Sequence, residues 1–161
     1  AGQAQGGFPY WLAPAVAFLL SAIISFATGS SWGTFAIMMP LVIPTAIAID
    51  APLLVAIGAV LSGGLFGDHC SPISETTILS STGAGCDQFE HFKTQLPYAL
   101  MNGSIALVSF VVAGFTGSSL VVLGALVAQL VVVTLLAKRD ASKNASSKVQ
   151  SQVSESKPQQ A

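Results

Sequence analysis

One stretch of the chain decides its fold, because it places charged residues and a proline inside an apolar segment. The stretch reads Gly67-Asp68-His69-Cys70-Ser71-Pro72-Ile73-Ser74-Glu75. Apolar residues precede it from Ala51 to Phe66, and the segment continues from Thr76 to Ser81. A continuous helix from Pro52 to Thr82 would be about 46 Å long, whereas the hydrocarbon layer of a bilayer is roughly 30 Å thick. We therefore predict a broken, partly unwound helix.

The composition indicates a membrane protein. Hydrophobic residues make up 52% of the 161 positions and charged residues only 8%, against roughly a quarter in soluble domains. No charged residue occurs before Asp50, between Asp50 and Asp68, or between Lys93 and Lys138. The net charge is −1 and no basic face is present, so we exclude nucleic-acid binding and expect membrane lipids as the surroundings.

The predicted fold class is an all-α multi-pass membrane protein with broken helices. Besides the interrupted segment, the predicted helices are Phe8 to Ala27, Phe35 to Ile49, Leu96 to Phe115 and Ser119 to Ala137. The run from Phe35 to Ile49 is short for a crossing and would suit a re-entrant arm equally well. The last two helices are expected to form a hairpin turned at Thr116-Gly117-Ser118, and Gly83 to Gln95 is predicted to be a polar loop.

We divide the chain into a membrane domain, residues 1–137, and a disordered tail, residues 138–161. Lys138 and Arg139 directly follow the last predicted helix, so the positive-inside rule places the C-terminus and the loop from Gly83 to Gln95 in the cytoplasm and Asp50 outside. The chain starts at Ala1 without a basic n-region, so we expect a piece of a longer protein rather than a signal peptide. Secondary transporters usually pair two structural repeats, and this length accommodates about one.

The carboxylates of Asp68 and Glu75 are the main functional signal. Ionisable side chains at membrane depth are costly and usually mark an ion path. Pro72 between them removes a backbone donor and leaves carbonyl oxygens that a cation could use. The alternative interpretation is structural: Asp68 caps the following turn, and Glu75 lies at an interface.

The residue types around Pro72 suit a sodium ion. Na⁺ is a hard cation that prefers oxygen ligands, and this segment offers carboxylates, hydroxyls and carbonyls. We predict Na⁺ at Asp68 and Glu75, and the full predicted set of ion- and proton-binding residues is Asp68, Glu75, Ser71, Ser74, Thr76 and Thr77. Another break rich in hydroxyl groups lies earlier in the chain and contains Thr28, Ser30, Ser31 and Thr34. It could meet the Pro72 segment near the midplane, and it is equally interpretable as a packing bend.

Proton coupling requires a group that can hold either H⁺ or Na⁺. Burial disfavours a charged carboxylate, so protonation and metal binding can compete near neutral pH, and Asp68 is the first candidate for this role, before Glu75. His69 could sense pH near neutrality or could be a hydrogen-bonded packing residue. The two cysteines and two histidines lack the spacing of a zinc site, the cysteines are expected to be free and buried, and no cofactor is expected.

A longer run of residues resembles a known family. The run from Gly67 to Asp87 closely resembles the signature region of NhaC-type sodium/proton antiporters. The same family is resembled by the break from Thr28 to Thr34, by Leu61-Ser62-Gly63-Gly64 and by Thr94-Gln95-Leu96-Pro97-Tyr98-Ala99-Leu100. The resemblance implies an inner-membrane antiporter of the wider ion-transporter superfamily, with inverted repeats and broken or re-entrant helices meeting at a midplane site. This chain would be the second repeat. The family often has Asp where this sequence has Glu75, which changes the reach of that carboxylate.

Several functional hypotheses follow. The first is a sodium/proton antiporter working by alternating access, and the runner-up is a sodium- or proton-coupled exchanger of organic anions or amino acids, to which some similar proteins point. An intramembrane aspartyl protease would need a second carboxylate near Asp68 to share its proton, and Glu75 is the nearby candidate. A membrane scaffold without a transported ligand would tolerate neutralisation of both acids. Oligomeric state, including a homo-oligomer, stays open.

Overall fold

The computed structural model describes residues 9–118, 120–121, 123–135 and 138. A short 3₁₀ turn, Tyr10–Leu12, leads into the helices of the chain. These are α1 Ala13–Thr28, α2 Ser31–Ala48, α3 Leu53–His69, α4 Glu75–Ala84, α5 Gln88–Thr116 and α6 Leu123–Leu135. The described part contains no strand, and three stretches, Tyr10–Thr28, Ser31–Ala48 and Gln88–Thr116, are long and apolar enough to cross a membrane. The predicted all-α membrane fold is therefore confirmed.

The chain divides into two units, Ala1–Ala125 and Leu126–Ala161. The first contains helices α1 to α5. The described residues of the second are those of α6 from Leu126 onward and Lys138. The predicted tail, residues 138–161, lies outside the described residues apart from Lys138, so its disorder stays a prediction.

The close packing of α1 against α3 organises the first unit. Gly63 and Gly67 of α3 lie directly on the α1 backbone, where a Cβ atom would overlap the carbonyl oxygens of Phe18 and Ala22 respectively. Small residues four positions apart are typical of membrane helices whose backbones touch. The hydroxyl of Ser25 adds a buried hydrogen bond to the Gly64 carbonyl, 2.6 Å long. This interface fixes the end of α3 beside the end of α1.

A small aromatic core lies beneath this interface. Phe18 is 1% exposed and packs with Ala59 and Val60 of α3 and Met38 of α2. Its ring centroid lies 5.8 Å from that of Phe66, within the range of favourable aromatic pairs. Many other large apolar side chains, such as Trp32 at 76% exposure, face outward, as expected for helices that contact lipid or further protein.

The predicted interruption of the long apolar segment is confirmed. Helix α3 ends at His69, α4 begins at Glu75, and the break between them consists of Cys70 to Ser74. It is shorter than the predicted stretch, because Gly67, Asp68 and His69 still belong to α3. Pro72 lies inside the break, where its missing N–H costs no helical hydrogen bond.

The other break is also shorter than predicted. Helix α1 ends at Thr28 and α2 begins at Ser31, so only Gly29 and Ser30 separate them. Gly29 has φ +67° and closes the end of α1, while the Ser30 hydroxyl accepts a hydrogen bond from the Gly33 N–H and caps α2. Helix α2 is long enough to cross a bilayer even though Pro40 and Pro44 lie within it.

The predicted polar loop from Gly83 to Gln95 is largely wrong. Only Gly85 to Asp87 separate α4 from α5, and α5 begins at Gln88. The reason is helix capping: the Asp87 carboxylate accepts hydrogen bonds from the N–H groups of Phe89 and Glu90, at 2.9 and 3.1 Å. Asp at the cap followed by Glu three residues later is a helix-start pattern that outweighs the polarity of the segment.

The end of α5 agrees with the turn predicted at Thr116-Gly117-Ser118. Helix α5 ends at Thr116, and Gly117 with φ +62° terminates it. The next helix is α6, whose predicted bounds were Ser119 to Ala137. Both of those predicted end residues, Ser119 and Ala137, lie outside the described residues.

Candidate functional site

The Asp68 carboxylate lies at the centre of the polar cluster. Asp68 occupies the last turn of α3 and is 2% exposed. The Ser74 hydroxyl donates to its Oδ1 over 2.7 Å, and the Thr76 hydroxyl donates to its Oδ2 over 3.3 Å. Ser74 Oγ and Thr76 Oγ1 are 2.7 Å apart. The break thus folds the start of α4 back onto the last turn of α3, and three oxygen-bearing side chains meet there.

The local structure explains why Ser74 can reach Asp68. Ser74 is the N-cap of α4, with extended backbone geometry, and its hydroxyl also accepts from the Thr76 N–H over 3.2 Å. A capping serine turns its oxygen toward the first turn of its own helix. The break turns that same oxygen toward Asp68. The cap of α4 is therefore Ser74, and the Asp68 side chain bonds to hydroxyl groups.

The other residues predicted around Asp68 fall into two groups. Ser71 and Thr77 are buried, at 0% and 3% exposure, and Thr77 Oγ1 has no hydrogen-bond partner among the described residues. Glu75 and His69 are exposed, and the His69 Nδ1–H donates to the Leu65 carbonyl over 2.8 Å. The structure therefore groups Asp68, Ser74 and Thr76 by direct hydrogen bonds and does not bring the Glu75 carboxylate into that group.

In the first break, between α1 and α2, the hydroxyl side chains form hydrogen bonds mainly with nearby backbone carbonyls. The Thr28 hydroxyl donates to the Ile24 carbonyl over 2.9 Å, and the buried Thr34 hydroxyl donates to the Ser30 carbonyl over 2.9 Å. Ser31, 7% exposed, begins α2. These are the bonds by which Ser and Thr commonly satisfy helix backbones.

The two breaks nevertheless lie against each other. A Cβ atom added to Gly29 would be 2.8 Å from the Ile73 carbonyl oxygen and 3.0 Å from its carbonyl carbon. Gly29 lies at the tip of the α1–α2 pair, and Ile73 lies in the middle of the α3–α4 break. The tip therefore supports the backbone that carries Ser74. The sequence-based expectation that the two breaks meet agrees with this packing.

The charge around Asp68 is not balanced by a basic side chain in the described part of the chain. The one ion pair found there joins Lys93 and Glu90 at 2.9 Å, on the exposed start of α5. Burying a carboxylate without a cation or a proton is expensive, even when hydroxyl groups donate to it. Across the described residues no group of three His, Cys, Asp or Glu side chains could hold a metal ion together. Cys86 is exposed, contrary to expectation, whereas Cys70 is buried.

Two buried serines on α1, Ser21 and Ser25, were not among the residues predicted from the sequence. Ser21 and Ser25 are both 0% exposed, and the Ser21 hydroxyl has no hydrogen-bond partner among the described residues. A buried hydroxyl without a partner costs about 1–3 kcal/mol. Their spacing of four residues on one helical face, opposite the glycines of α3, is the signal that identifies them.

The chain is similar to several known proteins. The sequence model of the Na⁺/H⁺ antiporter family matches residues 9–115. An uncharacterized protein of Haemophilus influenzae is 44% identical over 138 residues, which is 84% of this chain and 26% of that protein. The Na⁺/H⁺ antiporter NhaC of Alkalihalophilus pseudofirmus is 36% identical over 109 residues, 66% of this chain and 23% of that protein.

A third relative is named for a different activity. The malate-2H⁺/Na⁺-lactate antiporter of Bacillus subtilis is 35% identical over 97 residues, which cover 60% of this chain and 21% of that protein. The chain thus spans about a fifth to a quarter of the length of these curated relatives. No solved structure matches the chain. The matched residues include α1 to α4, both breaks and nearly all of α5.

Proposed function

Because the chain belongs to the Na⁺/H⁺ antiporter family, and to its NhaC type, we propose that the intact protein exchanges Na⁺ for H⁺ across the bacterial inner membrane by alternating access. The observation that supports this most directly is the buried carboxylate of Asp68, which is held by two hydroxyl donors and has no basic partner among the described side chains. Such a group is stabilised either by a proton or by a cation.

In this proposal Asp68 binds H⁺ and Na⁺ in turn. The Ser74 and Thr76 hydroxyls donate to this carboxylate, and their oxygen atoms are the neighbouring ligands available to a hard cation. Thr77 and Ser71 are further buried oxygens on the same short segment. Binding of a proton removes the negative charge that attracts Na⁺, so one site serves both ions by competition.

Flux measurements on the intact protein in proteoliposomes test the exchange. An imposed Na⁺ gradient is expected to drive proton movement, with Li⁺ and K⁺ compared under the same conditions. Competition predicts that the apparent KM for Na⁺ rises about tenfold for each unit of falling pH, over the range in which a proton occupies the site. A KM that is constant across the pH range where activity changes would contradict a shared site.

Exchange of organic anions is the second candidate, because one relative is a malate-2H⁺/Na⁺-lactate antiporter. An anion would need a fixed cation or helix N-termini at its site. The described part of this chain has no basic side chain at Asp68, so that cation would come from elsewhere in the intact protein. Adding malate, lactate or amino acids to the same proteoliposome assay separates the two: pure Na⁺/H⁺ exchange is unaffected by them.

The geometry at Asp68 lends no support to an aspartyl protease, which would need a second carboxylate sharing the proton. The groups that form hydrogen bonds with Asp68 are the hydroxyls of Ser74 and Thr76, and the Glu75 side chain is exposed. The named relatives quoted above are antiporters.

We also propose that the turn from Gly85 to Asp87 and the C-terminal tail face the cytoplasm, in keeping with the positive charges after α6. Cys86 is exposed in that turn and is a native reporter. An impermeant thiol reagent is expected to label Cys86 in inside-out vesicles and not in intact cells. Labelling from the outside would reverse the orientation.

A further inference from the structure

A side chain from α5 reaches the break that carries the candidate site. The Gln88 amide Nε2–H donates to the carbonyl oxygen of Pro72 over 2.6 Å, and this bond is partly buried. Gln88 is the first residue of α5 and lies 16 positions beyond Pro72 in the sequence. The contact therefore joins the start of α5 to the centre of the break between α3 and α4.

Apart from the packing of Gly29 against Ile73, the backbone of the break is held by short-range hydrogen bonds. The Ser71 N–H donates to the Asp68 carbonyl over 3.0 Å, and the Ser74 N–H donates to the Ser71 carbonyl over a long 3.4 Å. Both of these bonds join near neighbours in the chain. A carbonyl at a helix break has lost its helical donor and needs another partner when it is partly buried. Gln88 supplies that donor for Pro72.

The position of Gln88 is itself well defined. The preceding residue, Asp87, caps α5 through its carboxylate, which accepts from the N–H groups of Phe89 and Glu90. The Gly85 N–H also donates to the Thr82 carbonyl over 3.2 Å and closes the end of α4. The base of the Gln88 side chain is thus fixed by a capped helix end, so its amide can act as a fixed point for the break.

We propose that Gln88 is a positioning residue of the Asp68 site. Pro72 is only two residues from Ser74, whose hydroxyl donates to Asp68 Oδ1. Holding the Pro72 carbonyl holds the backbone that places the Ser74 oxygen, and through it the geometry offered to Na⁺. The proposal rests on the proposed function in one respect: the bound ion is taken to be Na⁺.

Substitution of Gln88 by methionine tests this role in the intact protein. Gln88→Met keeps the length of the side chain and removes the donor, whereas Gln95→Met makes the same change two helical turns later, at a residue that is also half-buried. The apparent KM for Na⁺ is expected to rise about fivefold in Gln88→Met, the change that corresponds to one net hydrogen bond, with the maximal rate within twofold of wild type. In Gln95→Met both values are expected to stay within twofold.

A second measurement does not depend on transport. Cys70 lies in the break and is 4% exposed. In a Cys86→Ser background, the rate at which N-ethylmaleimide modifies Cys70 can be followed by mass spectrometry of the peptide that contains it. Loss of the Gln88 bond is expected to loosen the break and accelerate this modification several-fold relative to Gln95→Met. Gln88→Asn is the second variant, for use if Gln88→Met folds poorly. Its side chain keeps the amide but is too short to reach Pro72, so the same acceleration is expected.

The outcomes separate this inference from the proposed function. If Cys70 reacts equally fast in the Gln88 and Gln95 variants, Gln88 does not hold the break and the inference is wrong. It is also wrong if the reaction accelerates while the KM for Na⁺ stays at the wild-type value. Absence of Na⁺-driven proton flux in the wild type instead contradicts the proposed function, whereas the Cys70 rates still decide whether Gln88 holds the break.

Discussion

The break between α1 and α2 and the break between α3 and α4 are both rich in hydroxyl side chains, yet these hydroxyls bond to different partners. In the first break, Thr28 and Thr34 donate to backbone carbonyls of their own segment. In the second, Ser74 and Thr76 donate to the carboxylate of Asp68. A count of hydroxyl groups therefore does not identify an ion site. In the proposed function, the second break is the ion site because its hydroxyl groups converge on a buried carboxylate.

The largest expected effect comes from removing the charge of the second break. Asp68→Asn keeps the size and one acceptor oxygen but cannot ionise, so Na⁺-dependent proton flux is expected to fall at least about a hundredfold while the protein still inserts. The control is Asp50→Asn, the same chemical change at an exposed residue with φ +56°, a conformation that Asn tolerates. Na⁺-dependent proton flux in proteoliposomes is measured for both variants. Normal transport by Asp68→Asn would exclude this carboxylate as the exchanging group.

The next effect concerns the contact between the two breaks. Gly29→Ala places a Cβ 2.8 Å from the Ile73 carbonyl oxygen in addition to straining a residue with φ +67°. Gly117→Ala strains a residue with φ +62° but meets nothing within 4 Å. The left-handed backbone costs about 1–2 kcal/mol in each, and the contact adds about 1–3 kcal/mol in Gly29→Ala alone.

Thermal unfolding in detergent and the yield of folded protein compare the two glycine variants. Gly29→Ala is expected to unfold at a lower temperature than Gly117→Ala. Equal unfolding temperatures would show that the tip of the first break does not support the second.

A smaller, selective effect separates the two capping serines. Ser30 caps α2 and Ser74 caps α4, so replacing either by alanine is expected to cost about 1 kcal/mol of stability. Only Ser74 also donates to Asp68. Ser74→Ala is therefore expected to raise the KM for Na⁺ about tenfold and Ser30→Ala to leave it within twofold. Similar KM values in the two variants would mean that the Ser74 hydroxyl acts only as a helix cap.

The sequence predicted the second break well because its causes are local. Pro72 cannot donate a backbone hydrogen bond, and the segment is too long for one membrane helix, so an interruption near Asp68 follows from the chain alone. The start of α5 differs from the predicted loop because the carboxylate of Asp87 caps a helix there in spite of the polarity of the residues that follow. This cap is a local signal that is visible in the sequence.

Two features of the site could not be predicted from local signals: the hydrogen bond from Gln88 to Pro72, and the burial of Asp68 with exposure of Glu75. The hydrogen bond joins residues that no sequence pattern pairs. The burial of the two acids depends on the direction in which α4 leaves the break, since a helix that restarts after an irregular segment does not continue the facial pattern of the helix before it. Asp68 is consequently buried and Glu75 exposed, although seven positions would place them on one face of an unbroken helix.

The smallest expected effect tests whether the second break uses one carboxylate or two. Glu75 is exposed in the first turn of α4, near the hydroxyl cluster in sequence but outside its hydrogen bonds. If it contributes to Na⁺ binding, as its residue type predicts, Glu75→Gln should raise the KM for Na⁺ by a few-fold and leave the pH dependence of transport unchanged, because the proton resides on Asp68. The matched control is Glu90→Gln, which removes an exposed carboxylate paired with Lys93. Flux measured against Na⁺ concentration at several pH values distinguishes the cases. A KM equal to that of Glu90→Gln leaves Asp68 as the single carboxylate of the site. A shifted pH profile would assign the proton to Glu75 and contradict the proposal that Asp68 binds it.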